Sequence, residues 1–240
     1  MPTTVAASIP ASPLGLSEGP LEIRAALPED RAEAFALQRA AFSLPDGDPP
    51  SHPGNREELR VAVRDGRVVS CLTLIHAALC MRGVHLPMGG IRHVATHPDE
   101  QNRGYASALL RDTLRELRRD GVSTSVLFPF SFRYYRKFGY ELGGNHCHFW
   151  CRPNCIPVFA ERWSCREAAP TDVPALARFY AERGAQSVCS MVRDERRWER
   201  LCADPDMTVL IHGGPQIDGY AVITETRDSY GGRVLRVLDL

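Results

Sequence analysis

Apolar positions recur along the chain with two different periods, and the changes of period mark out the elements. "LEIRAA", from Leu21, reads as a short strand. "PEDRAEAFALQRAAF" follows with Ala, Leu and Phe on one stripe and Pro28 near the first turn, which predicts a helix. Residues 43–55 form a Pro/Gly/Asp loop. "LRVAVRDGRVVSCLTLI" holds two strands meeting at Asp65-Gly66, a strong hairpin signal. A third strand follows Arg82-Gly83 and runs through "GGIRHVATH". These strands carry apolar residues on both faces, so a sheet covered on both sides is predicted. Next, Ala106, Leu109, Leu110, Thr113, Leu114 and Leu117 fall on one continuous helical stripe. Arg118 and Arg119 sit where cations suit the helix dipole, and Gly121 supplies a left-handed cap. "STSVLF" reads as a strand, "SFRYYRKF" as a short helical piece, and "GYELGGNHCHFWC" as a closing strand or pair. Strand, helix, several strands, helix, strand, helix, strand is one mixed α/β layer.

A second unit repeats the start of the first. Arg24–Asp30 and Arg166–Asp172 share Arg-x-Ala-x-Pro-x-Asp, each leading into a helical run. Residues 207–226 then mirror the first hairpin, with strands around a Gly/Pro/Asp turn, and "RVLRVLDL" closes as a strand. A single repeat at a spacing of about 140 residues is domain duplication, not a solenoid. The organisation expected is a disordered leader at 1–20, a complete domain at 21–160 and a partial, non-catalytic second domain at 161–240. No second glycine loop or amphipathic helix follows it, so the chain reads as a piece of a longer one.

Composition narrows the classes. Lys plus Arg and Asp plus Glu both number 29. That balance gives no global field for nucleic acid or an anionic membrane. Lys137 is the sole lysine. Eight cysteines without a secretory signal read as reduced thiols in a cytoplasmic protein. No stretch reaches transmembrane length.

"QNRGYASALLRDTLREL" poses the chemical question. A strand leading into a glycine-bearing turn and a helix forms an anion cradle, because the first helical amides lack internal partners. Glycine lets a phosphate approach the backbone, and Arg103 at a helix start is unfavourable until an anion arrives. On the loop alone, a phosphate site and an ordinary N-cap stay open. The loop is neither a Walker A nor a dinucleotide fingerprint.

"GGIRHVATHPDEQNRGYASALL" followed by "YYRKFGYE" resembles the GNAT acetyltransferase superfamily. The Gln-x-x-Gly-x-Ala loop at Gln101, Gly104 and Ala106 matches its pyrophosphate motif, and Tyr135-x-x-x-Gly139-Tyr140 its acceptor-side motif. With the tandem half-copy, the wording is similar to the Eis (enhanced intracellular survival) branch over roughly residues 20–240. The resemblance implies an α/β (α+β) GNAT fold: a mixed, mostly antiparallel sheet flanked by helices, followed by an incomplete second GNAT-like unit. It implies acetyl-CoA as acyl donor and an amine acceptor, and leaves homo-oligomer formation open. Carried over, Val94, Ala95 and Thr96 lie on the strand whose backbone pairs with the pantetheine arm. Asn102, Arg103, Gly104, Tyr105, Ala106 and Ser107 hold the pyrophosphate. Phe130 and Ser131 flank the cofactor where two strands splay, and Tyr135 is the acid beside the departing thiolate. Gln101-Asn102 departs from the more basic pair of that branch. The branch takes its general base from a C-terminal carboxylate on a third domain. If Leu240 is the native end that base is expected to be missing, and if the chain is a fragment the base lies on the part beyond it; no residue here is assigned as base.

Two classes follow: an acetyl-CoA-dependent N-acetyltransferase acting on a primary amine of a small molecule or lysine, or a non-catalytic acyl-CoA-binding or assembly module. Asp46 and Asp48 are candidates to attract a cationic acceptor. "GLSEG", at Gly15–Gly19, matches a nucleophile elbow but lacks its strand-to-helix context. Cys147, Cys151 and Cys155, with His146 and His148, fit no standard zinc spacing and read as buried thiols. His93 and His97 read as core or pocket lining, and Tyr134 as packing beside Tyr135.

Overall fold

The computed structural model describes residues 19–44, 56–144, 149–214 and 216–239. Two compact units divide the chain: 1–78 with 86–142, and 79–85 with 143–240. Asp46, Asp48, His146, Cys147 and His148, and the leader to residue 18, lie outside the described residues.

The first unit is built on a sheet in the order β1-β2-β3-β4-β5. These strands are β1 (Glu22–Ala25), β2 (Arg56–Arg64), β3 (Arg67–Met81), β4 (Val84–Thr96) and β5 (Thr124–Leu127). β1 to β3 pair antiparallel, and β5 joins β4 in parallel. The hairpin turns fall where the sequence placed them. Asp65 and Gly66 (φ 48° and 71°), and Arg82 and Gly83 (φ 49° and 82°), take the left-handed pairs of two-residue hairpin turns.

Two helices cover opposite faces of this sheet, as the doubly apolar strands require. α1 (Arg31–Phe42) buries Ala34 and Leu37 against Leu59, Val61, Val63, Cys71 and Ala95. α2 (Tyr105–Arg119) buries Leu109, Leu110 and Leu117 against Leu72, Leu74 and Ile91. Alternation along β2 makes this work: odd residues from 59 to 63 face α1, while Arg60 and Ala62 face α2. Arg60 is 3% exposed, an expensive place for a cation unless paired. It is met by Glu58 at 2.9 Å, Asp112 at 2.9 Å and Glu116, the last two from α2. α3 (Phe132–Arg136) follows β5.

The closing strand expected within 139–151 does not form among the described residues: 140–144 and 149–152 carry no regular structure. Gly139 is left-handed (φ 89°), and Gly143 and Gly144 have no side chain to pack on a pleat. Cys151 and Cys155, expected buried, are exposed for the same reason: no sheet forms there to cover them.

The second unit has a four-stranded antiparallel sheet in the order β6-β8-β9-β10. Its strands are β6 (Cys165–Glu167), β8 (Thr208–Gly213), β9 (Ile217–Arg227) and β10 (Arg233–Asp239). α4 (Val173–Gln186) and α5 (Glu195–Ala203) pack on it around a fully buried Trp198. The two-residue β7 (Ser190–Met191) pairs with Leu79 and Cys80 at the tip of the β3–β4 hairpin, which belongs to this unit. α5 has no counterpart in the sequence reading. Its start is capped by Asp194, which accepts from the Arg197 amide at 2.9 Å.

The repeated Arg-x-Ala-x-Pro-x-Asp has one physical role in both places. Arg24 pairs with Asp30, whose carboxylate also accepts the Leu27 amide at 2.7 Å. Arg166 pairs with Asp172 at 2.6 Å, and that carboxylate accepts the Ala169 amide at 2.8 Å. Each clamp closes a single 3-10 turn between a first strand and the helix after it. No described helix is long and apolar enough to cross a membrane.

The Arg24 guanidinium holds the Asp30 carboxyl below the usual carboxylate range. Its folded pKa is therefore lower than its unfolded one. The stabilisation is complete above the unfolded value of about 3.9 and fades as pH falls through the folded pKa. Asp30→Ala is expected to cost about 2 kcal/mol at pH 7. The gap from wild type in urea unfolding should narrow as pH drops below about 4.

Candidate functional site

The site grows from the end of β4. β5 pairs with β4 only from Met88 to Ile91, ending opposite Leu127, whereas β4 runs on to Thr96. Two parallel strands thus part after Ile91, leaving the β4 edge from Arg92 to Thr96 without a β5 partner. Ile91 and Val94 both pack into the α2 cluster, and Ala95 packs into the α1 cluster. Arg92 Nη2 reaches Glu57 at 3.0 Å, on the β2 face that α1 covers. In a regular strand, residues three apart point to opposite faces. Here they share one, and the extra residue is His93, left-handed at φ 50°. A non-glycine residue held so costs about 1–3 kcal/mol. Gln38, wholly buried on α1, offsets it by donating from Nε2 to the His93 carbonyl at 3.2 Å and to Thr73 Oγ1 at 3.1 Å. Downstream, Ser70 Oγ donates to the Ala95 carbonyl at 2.8 Å and touches Thr96 Oγ1 at 3.0 Å.

The turn after β4 carries the second component. Asn102 (φ 63°) and Gly104 (φ 85°) are both left-handed, and Gly104 is the N-cap of α2. The Tyr105, Ala106 and Ser107 amides therefore have no helical acceptor, and no acidic residue occupies the first turn. A Cβ built on Gly104 meets nothing within 4 Å, so the space beside that glycine is open. Arg103 forms an ion pair with Glu100 at 3.1 Å, which offsets the cation at the positive end of the helix. Tyr105 itself turns inward. Its ring packs with Ala62 and Val69, and its hydroxyl accepts from Arg64 Nη1 at 2.5 Å, so only its backbone faces the turn.

α3 brings the tyrosines. Ser131 caps it, accepting the Tyr134 amide at 3.3 Å. Tyr134 Oη and Ser107 Oγ lie 3.2 Å apart in a hydrogen bond, which ties α3 to the first turn of α2. Tyr134 is thus more than packing. Tyr135 is 4% exposed, edge-on to Tyr134 at 5.1 Å and to Phe130 at 5.4 Å. Burial, then Tyr134 and Tyr140, push its phenol up to about 12. Phe130 stays exposed and also meets Tyr134 at 5.3 Å.

The carried-over residues thus all belong to the first unit. The side chains of Val94, Ala95 and Thr96 are taken up by packing or by Ser70, so backbone is what they offer. Asn102, Arg103 and Gly104 line the turn, Ala106 and Ser107 the first helical turn. His97 is buried, and its Nδ1 accepts the Asp99 amide at 3.3 Å, a structural task. Among the described residues, no group of three or more His, Cys, Asp or Glu could hold a metal ion. The kink at His93 and its Gln38 clamp were missed. The signal for them was present: apolar Ile91 and Val94 are three apart inside a strand pattern, a slip of phase.

Residues 22–143, half of the chain, match the model of the acetyltransferase (GNAT) domain. The chain belongs to the GNAT acetyltransferase family. Solved structures of similar fold include a GCN5-related N-acetyltransferase from Anabaena variabilis, at TM-score 0.70 and 22% identity over 92% of this chain and 58% of that one. A GCN5-related N-acetyltransferase from Kribbella flavida gives 0.65 and 19% over 92% and 58%. Eis1 from Mycobacterium abscessus gives 0.59 and 21% over the same shares. The chain spans 58% of the length of each of these, and the likeness is one of fold. Comparison with curated proteins gives no match. Within the GNAT domain, Gly104→Ala meets no clash, so its cost should be backbone strain alone. A loss of about 1–2 kcal/mol in denaturant unfolding is expected.

Proposed function

We propose that this GNAT domain is an acetyl-CoA-dependent N-acetyltransferase, acting on a primary amine of a small molecule or a lysine side chain. One observation carries the reading: the open, amide-lined turn at Gly104 is hydrogen-bonded through Ser107 to the tyrosine helix, at the end of the sheet where β4 and β5 part. A diphosphate suits the free amides of residues 104–107, aided by the helix dipole. An extended amide-bearing arm suits the unpaired edge of β4, and the thioester carbonyl then lies near the backbone of residues 93–95. An amide there would donate to the oxyanion formed when the amine attacks.

Tyr135 is the group suited to the departing sulfur. With its phenol near 12 and a thiol near 8.5, complete proton transfer would be uphill by about 5 kcal/mol. Its role is therefore to donate a hydrogen bond to the developing thiolate, the final proton coming from water. The raised pKa keeps Tyr135 protonated at every working pH, so no alkaline limb below pH 10 should belong to it.

We read residues 21–160 as the catalytic domain and 161–240 as a partial second GNAT-like unit, supported by the shared clamp and the matching strand order. The branch assignment to Eis-like enzymes rests on the two motifs and the tandem arrangement.

The test is thiol release from acetyl-CoA with spermidine, kanamycin and lysine peptides as acceptors. Acceptor-dependent release is expected from the wild type. Tyr135→Phe should lower kcat by about 10- to 100-fold with coenzyme A affinity within twofold by calorimetry. Coenzyme A binding with no release for any acceptor would point instead to a non-catalytic acyl-CoA-binding or assembly module.

A further inference from the structure

Among the described residues, His93 is the one non-glycine residue in the interior of a strand of the first unit that is held left-handed. A strand that only needed to change phase could do so on glycine, and Gly89 and Gly90 stand just upstream in the same strand. Instead the slip falls on a histidine, two residues past the last β4–β5 pair. The slip is fixed from α1 by wholly buried Gln38, and the imidazole is half-buried with its ring 5.1 Å from that of Phe42. Strained backbone maintained by a dedicated clamp, at the mouth of a site, is a mark of function.

The geometry points to His93 as the proton acceptor for the incoming amine, an inference that rests on the acetyl-transfer reading above. A primary amine at neutral pH is mostly ammonium; it gives one proton to solvent to free the lone pair, and a second must leave once nitrogen has bonded to carbon. Imidazole is the side chain whose ordinary pKa, near 6.5, lets it take a proton at neutral pH and return it to water. The nitrogen lone pair forms the C–N bond at the thioester carbon, and an N–H proton passes to an imidazole nitrogen. The C–S bond breaks with its electron pair on sulfur, which Tyr135 hydrogen-bonds and water protonates. The imidazolium then gives its proton to solvent. The amide, free coenzyme thiol and unchanged protein balance the amine and thioester consumed.

Charged groups flank this end of β4. Arg92 and Glu57 form an ion pair with each other at 3.0 Å, and Arg39 lies in the last turn of α1. Gln38 acts through His93 and is a positioning residue.

His93→Asn is the variant that isolates the imidazole, since asparagine tolerates the left-handed region and preserves the kink. The experiment compares kcat/KM from pH 5 to 9.5 for wild type, His93→Asn and Gln38→Leu, using whichever of spermidine, kanamycin or a lysine peptide releases thiol fastest. Coenzyme A affinity is measured alongside by calorimetry. The wild type should show an acidic limb with an imidazole-like midpoint. His93→Asn should lose that limb and fall about 100-fold or more near pH 7, with coenzyme A affinity within twofold. Gln38→Leu should lower kcat while keeping the limb and the acetyl-CoA KM. A His93→Asn enzyme with wild-type turnover and an unaltered acidic limb would overturn the assignment alone. No thiol release from the wild type with any acceptor would overturn it together with the acetyl-transfer reading.

Discussion

One strand has to satisfy two helices and then let go of its neighbour, and everything at the site follows from how β4 does this. Up to Ile91 it is an ordinary central strand, hydrogen-bonded to β5 and feeding the α2 cluster. Beyond it, β5 must diverge to carry the tyrosine helix, while β4 must still present Ala95 to α1 and Val94 to α2. An extra residue in the strand meets both demands, because it restores the face that each apolar side chain needs after the pairing ends. Gln38 holds the solution in place: its buried Nε2 donates to the His93 carbonyl and to Thr73 of β3, and a straight β4 would cost it the first of these bonds.

The same economy governs the start of α2. Its first turn has to leave amides unpaired, yet the helix must stay fixed to the sheet. Tyr105 resolves the conflict by sending its ring under the helix to Ala62, Val69 and Arg64 while its own amide faces out. Further along, Arg60 fastens the helix to β2 through Asp112 and Glu116. Arg103 is held by Glu100 rather than left bare, so the positive character of the turn is partly neutralised by the protein itself. In the proposed reading, a diphosphate would compete with that carboxylate for the guanidinium, and the backbone amides, which have no such rival, would supply the constant part of the attraction.

How much of this the sequence disclosed depends on whether the deciding force was local. The hairpins at Asp65-Gly66 and Arg82-Gly83 were legible because two left-handed residues in a row have few possible occupants. α2 was legible because its stripe runs for three turns, and the GNAT motifs because their spacing joins a turn to a helix. The closing strand was over-read at the described residues 140–144 and 149–152. Its aromatic and β-forming residues suggested pleating, but glycines at 139, 143 and 144 prevailed. α5 was overlooked because "ERRWERLCA" offers only Trp198 and Leu201 as buried residues amid charge. Tyr134 could not be told from packing, since its bond to Ser107 joins residues 27 apart. His93 was read as core or pocket lining: the spacing of Ile91 and Val94 marks a slip of phase, but not that a glutamine on another helix fixes the backbone there.

The second unit separates scaffold from chemistry. It repeats the clamp, the following helix and the strand order: β6-β8-β9-β10 runs as β1-β2-β3-β4 does, with α1 between the first two strands of one unit and both α4 and α5 between those of the other. Yet it closes a core of its own around Trp198, Leu176 and Ile211, packed by α4 and α5. A clamp, a helix and a meander therefore suffice to bury a core. In the first unit, what lies beyond that common plan is the kink in β4, the parallel strand that parts from it, the amide-lined turn and the tyrosine helix. Those are the elements that carry strain, exposed polar backbone and buried phenols, each of which lowers stability unless something binds there. Their concentration at one end of one unit, on a frame that the other unit shows to be adequate without them, is the physical reason for placing the acyl-transfer chemistry at that end.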